Sequence, residues 1–378
     1  MITKLGWLGL AACAGPKDTD ETGPPGPTGC AAIASDAQTT TVLAEDGVVI
    51  GTDHAATVAA DCTVHVVGRL LPEGSDAYGL RAAVVTHAGV TTEDLPFEDD
   101  IQDQVDLALG PSGERHVVYA RSAAGGTLTY AAEGDAGWDR VEIGRGAGDS
   151  GFGGWNALAV GPDGVAHVAW QYGGYAFGTL AEGMFTGVWS DAVSLDVDVA
   201  IGGDGRPVFA GHTMESDVLV ARRDDVGFTE LGTVDDLGGN TGFDVTMAVD
   251  GDVVHVLYYT LLGSVQDVRY ATNASGAWVA ETVALGPQIA LGGVIALDGD
   301  GQPVVAYGDT TTESMLLVTR DGAGWATREV ASWGDCGSSD TWLDVDAYAG
   351  RATLDVVDDI VFLTWFARGA VCLTTAPL

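Results

Sequence analysis

The sequence predicts an all-β protein, a seven-bladed β-propeller of four-stranded antiparallel blades over residues 31–378, with six or eight blades as the alternatives. Three observations lead there: a hairpin pattern that recurs at near-constant spacing, an aromatic residue that opens the last strand of most repeats, and an early strand-like segment able to complete the final, shorter repeat.

In each hairpin an alternating apolar run meets a Gly-containing turn and a second alternating run. The five clear copies are LALGPSGERHVVYA (107–120), LAVGPDGVAHVAW (158–170), VAIGGDGRPVFAG (199–211), MAVDGDVVHVLYY (247–259) and IALDGDGQPVVAY (295–307). Their glycines, Gly113, Gly164, Gly205, Gly251 and Gly301, are 51, 41, 46 and 50 residues apart. Weaker copies at 58–68 and 354–366 bring the number of units to seven. A third run follows in each clear unit (LTYAA, LVARR, VRYAT, LLVTR), and then a fourth that opens on Trp138, Trp189, Phe228, Trp278 or Trp325. The last unit stops after its third strand, VCLTTA (371–376), and TTTVLAE (39–45) is placed to supply the fourth. Such closure leaves only short, protected sheet edges.

The hairpin-plus-Trp repeat resembles the sialidase-like and Asp-box propellers of bacteria. The windows AAEGDAGW (131–138), ATNASGAW (271–278) and VTRDGAGW (318–325) correspond to the Asp-box turn, although only the tryptophan is kept in all three. Asn273 stands at the aspartate position of its window and Gly322 at the same place in the last. The resemblance implies a fold; the box is structural even in enzymes.

The N-terminus carries an address. Residues 1–12 read as an export signal, with Lys4, a short apolar run too brief to span a bilayer, and Leu10-Ala11-Ala12-Cys13 at its end. That tetrad resembles the lipobox of bacterial lipoproteins, which implies a lipid on Cys13, and Ala14 after it goes with outer-membrane sorting. Residues 13–30 then read as the lipidated cysteine and a Gly/Pro-rich tether. The expected location is the cell envelope, lipid-anchored in the outer membrane and facing periplasm or exterior, with the propeller a monomer. The remaining cysteines, Cys30, Cys62, Cys336 and Cys372, are even in number, as disulfides require. Topology pairs Cys30 with Cys62 at the tight-turn face and Cys336 with Cys372 near the long-loop face.

Composition excludes one class of partner. With 16 basic and 54 acidic residues the net charge is −38, and both lysines, Lys4 and Lys17, precede the region that reads as folded. Nucleic acid needs a cationic cluster to release its counterions, and none is present in this sequence. The membrane is therefore reached through the lipid alone.

The chemistry of sites is sparse. His65, His116, His167 and His255 share one place in the repeat. Equivalent positions on neighbouring blades are about 10 Å apart, whereas zinc ligands converge to about 2 Å of the ion. They are therefore expected as half-buried rings hydrogen-bonded between blades. The turns Asp298-Gly299-Asp300-Gly301, Asp250-Gly251-Asp252 and Asp163-Gly164 lack the continuation of an EF-hand and suit tight turns, with no cofactor expected beyond occasional calcium. A sialidase would need several arginines gripping a carboxylate, and Arg69, Arg206, Arg222, Arg223 and Arg269 form no such motif. No G-x-S-x-G nucleophile elbow occurs.

A binding face is easier to place. In a meander blade the loops between second and third strands and those between blades share one face, and these are the long ones. They carry Trp155, Tyr172, Tyr175, Trp333, Trp342 and Tyr348 with Asp149, Glu215 and Asp335. Aromatic platforms beside polar groups suit sugars or extended peptides; inward folding to cap the blades is the alternative. The expected function is a non-catalytic, lipid-anchored module for a glycan or protein ligand, with Trp155, Tyr172, Tyr175, Glu215, Trp333, Asp335 and Trp342 as its contacts. A glycoside hydrolase of sialidase-like fold and a purely structural surface protein are the rivals.

Overall fold

The structure, a computed structural model, describes residue 30 and residues 37–44, 49–71, 74–75, 77–97, 101–121, 127–145, 156–171, 175–181, 184–190, 193–213, 217–224, 227–234, 240–262, 265–286, 293–322, 324–336, 352–367 and 369–378. Its strands form seven four-stranded antiparallel sheets, each a meander ordered from the axis outward. Blade 1 is Val49–Val58, Val64–Leu71, Gly79–Thr86 and Gly89–Asp94, and blade 2 is Ile101–Leu109, Arg115–Arg121, Thr127–Gly134 and Gly137–Arg145. Blade 3 is Asn156–Val160, Ala166–Gln171, Tyr175–Ala181 and Met184–Ser190; blade 4 is Val193–Ile201, Pro207–Thr213, Val218–Asp224 and Gly227–Thr233. Blade 5 is Asn240–Asp250, Val253–Leu262, Val265–Thr272 and Val279–Gly286, and blade 6 is Val294–Leu297, Pro303–Asp309, Ser314–Asp321 and Gly324–Ser332. Blade 7 joins Thr353–Val357, Ile360–Ala367 and Ala370–Pro377 to the N-terminal strand Gln38–Leu43.

That last pairing is the expected ring closure. Gln38 faces Thr375, Thr39 faces Thr374 and Thr41 faces Cys372, and the Thr39 and Thr374 hydroxyls meet at 2.9 Å. The closing strand opens one residue before the expected segment and ends at Leu43.

Why the hairpins stack into a ring is visible in their burial. Second strands are covered on both faces, so Arg115–Arg121 and Pro207–Thr213 are buried at six successive positions. Their sequences are accordingly continuous apolar runs, as expected of strands packed from both sides. Outer strands such as Gly324–Ser332 are mostly exposed. Among the described residues the apolar core divides into seven clusters, one at each junction between consecutive blades. Each blade thus needs both neighbours, and only a closed ring gives every blade two.

The inner strands are also latched by side chains. Asp106 accepts the Leu158 N–H of the next blade at 2.7 Å, and Asp198 accepts that of Met247 at 2.6 Å. Gln104 and Asp196 do the same one pleat nearer the strand start, for Asn156 and Asp244, both at 2.9 Å. Gln104, Asp196 and Asp244 have φ of 64°, 32° and 47°, and the register slips there, so the inner strands of blades 2, 4 and 5 each carry a bulge that turns these groups toward the adjacent blade.

Candidate functional site

The two faces of the ring differ in construction. One is made of tight turns between inner and second strands, where Gly113, Gly164, Gly205, Gly251 and Gly301 have φ between 61° and 85°. The flanking acids are spent on these turns: Asp298 accepts the N–H groups of Asp300 and Gln302 at 2.9 and 2.7 Å, and Asp163 that of Val165 at 3.1 Å. The opposite face gathers the connections between second and third strands and between blades.

Most of the predicted contacts belong to those connections. Trp155, Tyr172, Glu215 and Trp342, with Asp149 and Tyr348, lie outside the described residues, as do Cys13 and the tether through residue 29. Tyr175 opens the third strand of blade 3, with its backbone opposite Gln171 and Ser190. Trp333 is a correction. It sits in a short 3-10 turn, Trp333–Asp335, is 8% exposed, and packs in the cluster between blades 6 and 7. It is a core residue because Ser332 and Asp335 cap that turn reciprocally and fold the ring inward. Asp335 is exposed, and its carboxylate accepts the Ser332 N–H at 3.0 Å.

The two disulfides form as topology predicted, Cys30 with Cys62 and Cys336 with Cys372, at Cα separations of 5.4 and 5.8 Å.

The histidines need a second correction. They are half-buried or buried, but the bonds of three are made within the blade. His116 Nδ1 meets the Tyr130 hydroxyl, His255 Nδ1 meets that of Tyr270 at 2.6 Å, and His167 Nδ1 meets that of Thr179 at 3.2 Å. Each partner is on the adjoining third strand, because neighbouring strands are about 5 Å apart, half the distance between blades. Burial lowers the affinity of all four rings for a proton, and takes His167 down to about 4.

The aromatic openers also turn inward. Trp138, Phe228, Trp278 and Trp325 pack against the preceding blade, and Trp278 donates to the Leu231 carbonyl at 3.0 Å. Arginines cover two of them. Arg115 lies 5.4 Å over Trp138 and pairs with Glu93 and Glu133, both at 2.7 Å; Arg320 lies 4.0 Å over Trp325 and pairs with Glu281. The bond from Arg115 holds the Glu133 carboxyl below the usual carboxylate range. These clusters clamp adjacent blades.

One concave feature faces the ring axis. A cavity of about 160 Å³ is lined by residues of the inner strands, including His54, Asp106, Asp198, Asp244, Thr246 and Thr353. Its volume is below the roughly 300 Å³ of ordinary ligand pockets and matches about five waters. Asp106 and Asp198 give both oxygens to backbone N–H groups, so they shape the axis and set its negative sign. Sequence reasoning missed this ring. The signal was an aspartate recurring at one place inside apolar inner strands, in VDLAL and VDVAI.

No protein-family model matches the chain, and no curated protein is similar to it in sequence. Solved structures do share its fold. A Dyadobacter fermentans protein of unknown function aligns with TM-score 0.53 and 12% identity over 91% of this chain and 100% of its own. The polysaccharide lyase Uly1 aligns with TM-score 0.51 and 9% identity over 86% and 89%. A triple arginine-to-alanine mutant of AofleA from Arthrobotrys oligospora gives 0.50 and 9% over 78% and 90%. At such identities the likeness is one of fold alone; the ring of seven four-stranded sheets makes the chain a β-propeller.

Proposed function

We propose that the chain is a non-catalytic glycan-binding module, carried on the bacterial surface by a lipid on Cys13, that meets its ligand at the long-loop face. One observation carries the reading: the two longest connections, from Arg145 to Asn156 and from Ser332 to Thr353, both belong to one face of a ring whose axis holds a cavity lined by carboxylates and hydroxyls, while the other face carries turns whose acids are already hydrogen-bonded. Loops carried on a rigid β scaffold are where binding residues concentrate. The negative axis selects against anionic sugars and suits neutral, hydroxyl-rich ones. Fold likeness to a polysaccharide lyase is compatible with this ligand class.

The test is a glycan array probed with the chain from Gly29 onward beside a Trp155→Ala/Trp342→Ala variant. Trp333 is left intact because its ring is buried. Binding to neutral glycans that the variant loses, at unchanged thermal stability, supports the reading. Turnover of a reporter glycoside, abolished by replacing one long-loop carboxylate, replaces it with the hydrolase reading. An empty array for both forms overturns the glycan ligand.

A further inference from the structure

The place where the N-terminal segment joins the ring is fixed by a disulfide and a hydrogen bond. Cys30 is fully buried, and its disulfide partner Cys62 lies in the turn between the inner and second strands of blade 1. Its backbone N–H points to the Asp358 carboxylate, 3.4 Å away, in the corresponding turn of blade 7. Both turns belong to the tight-turn face. The long-loop face is at the other end of strands of about eight residues, roughly 25 Å away.

Charge bears on how a body attached in this way stands above a membrane. After loss of residues 1–12 the net charge is −39, because Lys4 leaves and no acid leaves with it. Asp163, Asp250, Asp298, Asp300, Asp358 and Asp359 all line the tight-turn face. An anionic leaflet repels such a body once it comes within a Debye length, about 8 Å at physiological salt. A repelled body on a leash settles with its attachment point nearest the anchor. The 17 residues from Cys13 to Cys30 reach at most about 60 Å. Turning the long-loop face to the membrane would require that leash to pass across the tight-turn face and up the outer wall of a blade, which consumes most of its length.

We infer that the anchored protein hangs from its membrane by the tight-turn face, so that the long-loop face points outward and takes a glycan of the surroundings instead of a headgroup of its own bilayer. This rests on the proposed lipid at Cys13 and adds the direction in which the binding face looks.

Two measurements separate the inference from that premise. The mature chain from Cys13 is coupled through its thiol to a maleimide lipid in vesicles of phosphatidylcholine and phosphatidylglycerol, the other four cysteines being paired. A fluorophore is placed by unnatural amino acid at Asp300, on a tight turn, or at Thr311, in the connection between second and third strands of the same blade; both residues are exposed. Energy transfer to a dye at the vesicle surface is expected to be at least about twofold greater from position 300, given the roughly 25 Å between faces. Equal or greater transfer from position 311 overturns the inference. Separately, the full chain expressed in a bacterium should incorporate labelled palmitate, and Cys13→Ser should abolish it. Failure there removes the natural anchor, and with it the outward display, whatever the coupled chain shows.

Discussion

Asp355→Asn is expected to make the protein more stable, and increasingly so as pH rises. Asp355 is on the inner strand of blade 7, in the seam with blade 1, where the Val58 backbone N–H donates to it. Burial outweighs that bond and pushes its carboxyl up to about 7 from an ordinary 3.8. His54, on the inner strand of blade 1, is also buried and meets the Thr364 hydroxyl at 3.1 Å. A raised acid binds its proton more tightly when folded, so its contribution is complete below about pH 4 and is lost as pH rises through about 7. A displacement of about three pH units at about 1.4 kcal/mol each limits the loss to about 4 kcal/mol, and local relaxation with water entry reduces that to about 2. Asparagine keeps an acceptor for Val58 and carries no charge at any pH. Urea unfolding of both proteins at pH 4 and pH 8, disulfides intact, should show near-equal stability at pH 4 and a variant advantage of about 2–4 kcal/mol at pH 8. A difference that does not change with pH, or a wild type more stable at pH 8, would refute the burial argument.

His167 supplies the opposite slope. With its ring taken down to about 4, its contribution is whole above pH 6.5 and is lost as pH falls through about 4, so replacing it with Gln should flatten the acid limb of a thermal-denaturation series by up to about 3 kcal/mol. Removing the Cys336–Cys372 bridge by a double serine substitution opens a 36-residue separation and should lower stability by about 3–4 kcal/mol on loop-closure entropy, read as a shift in urea midpoint. Trp333→Ala should cost about 3–5 kcal/mol in the same assay, since it empties a core site; an unchanged midpoint would return Trp333 to the rim.

The repeat was legible because propeller physics writes itself locally. Each blade must bury its second strand on both faces and turn tightly before it, so HVVYA and its relatives recur with a glycine at a fixed offset. Closure was legible for the same reason: a three-stranded last unit and an unassigned alternating run at 39–45 have one economical solution. Partner identity was less accessible. Alternation says that His116 and His255 leave the second strand toward a neighbouring blade, but the hydroxyls they find belong to tyrosines two residues from their cross-strand partners, a diagonal relation that strand register alone reveals. Trp333 misled because an aromatic residue in a long connection looks like a platform, and the capping box that folds it inward spans only four residues. The axial aspartates were overlooked among 54 acids, since their distinction is a place in an apolar strand and not a motif.

The described contacts also point to where such a ring is weakest. Six blades are continuous in sequence, and their inner strands are joined by latches such as Asp106 to Leu158 and Asp198 to Met247. At the seam the acid that accepts from the next inner strand is Asp355, one pleat nearer the tight turn, whose burial opposes its charge, and the outer strand there, Gln38–Leu43, is held by pairing to a chain end. Both disulfides attach to this seam. Cys30–Cys62 fixes the entering segment to blade 1 beside Asp358 of blade 7, and Cys336–Cys372 ties the approach to blade 7 onto the strand that Gln38–Leu43 must pair with. A closed ring unfolds most easily by opening where its ends meet, because every other junction is backed by the chain itself. Cross-links at that junction therefore stabilise the ring beyond their own loops. They also require an oxidising compartment to form, which is where an exported chain would mature.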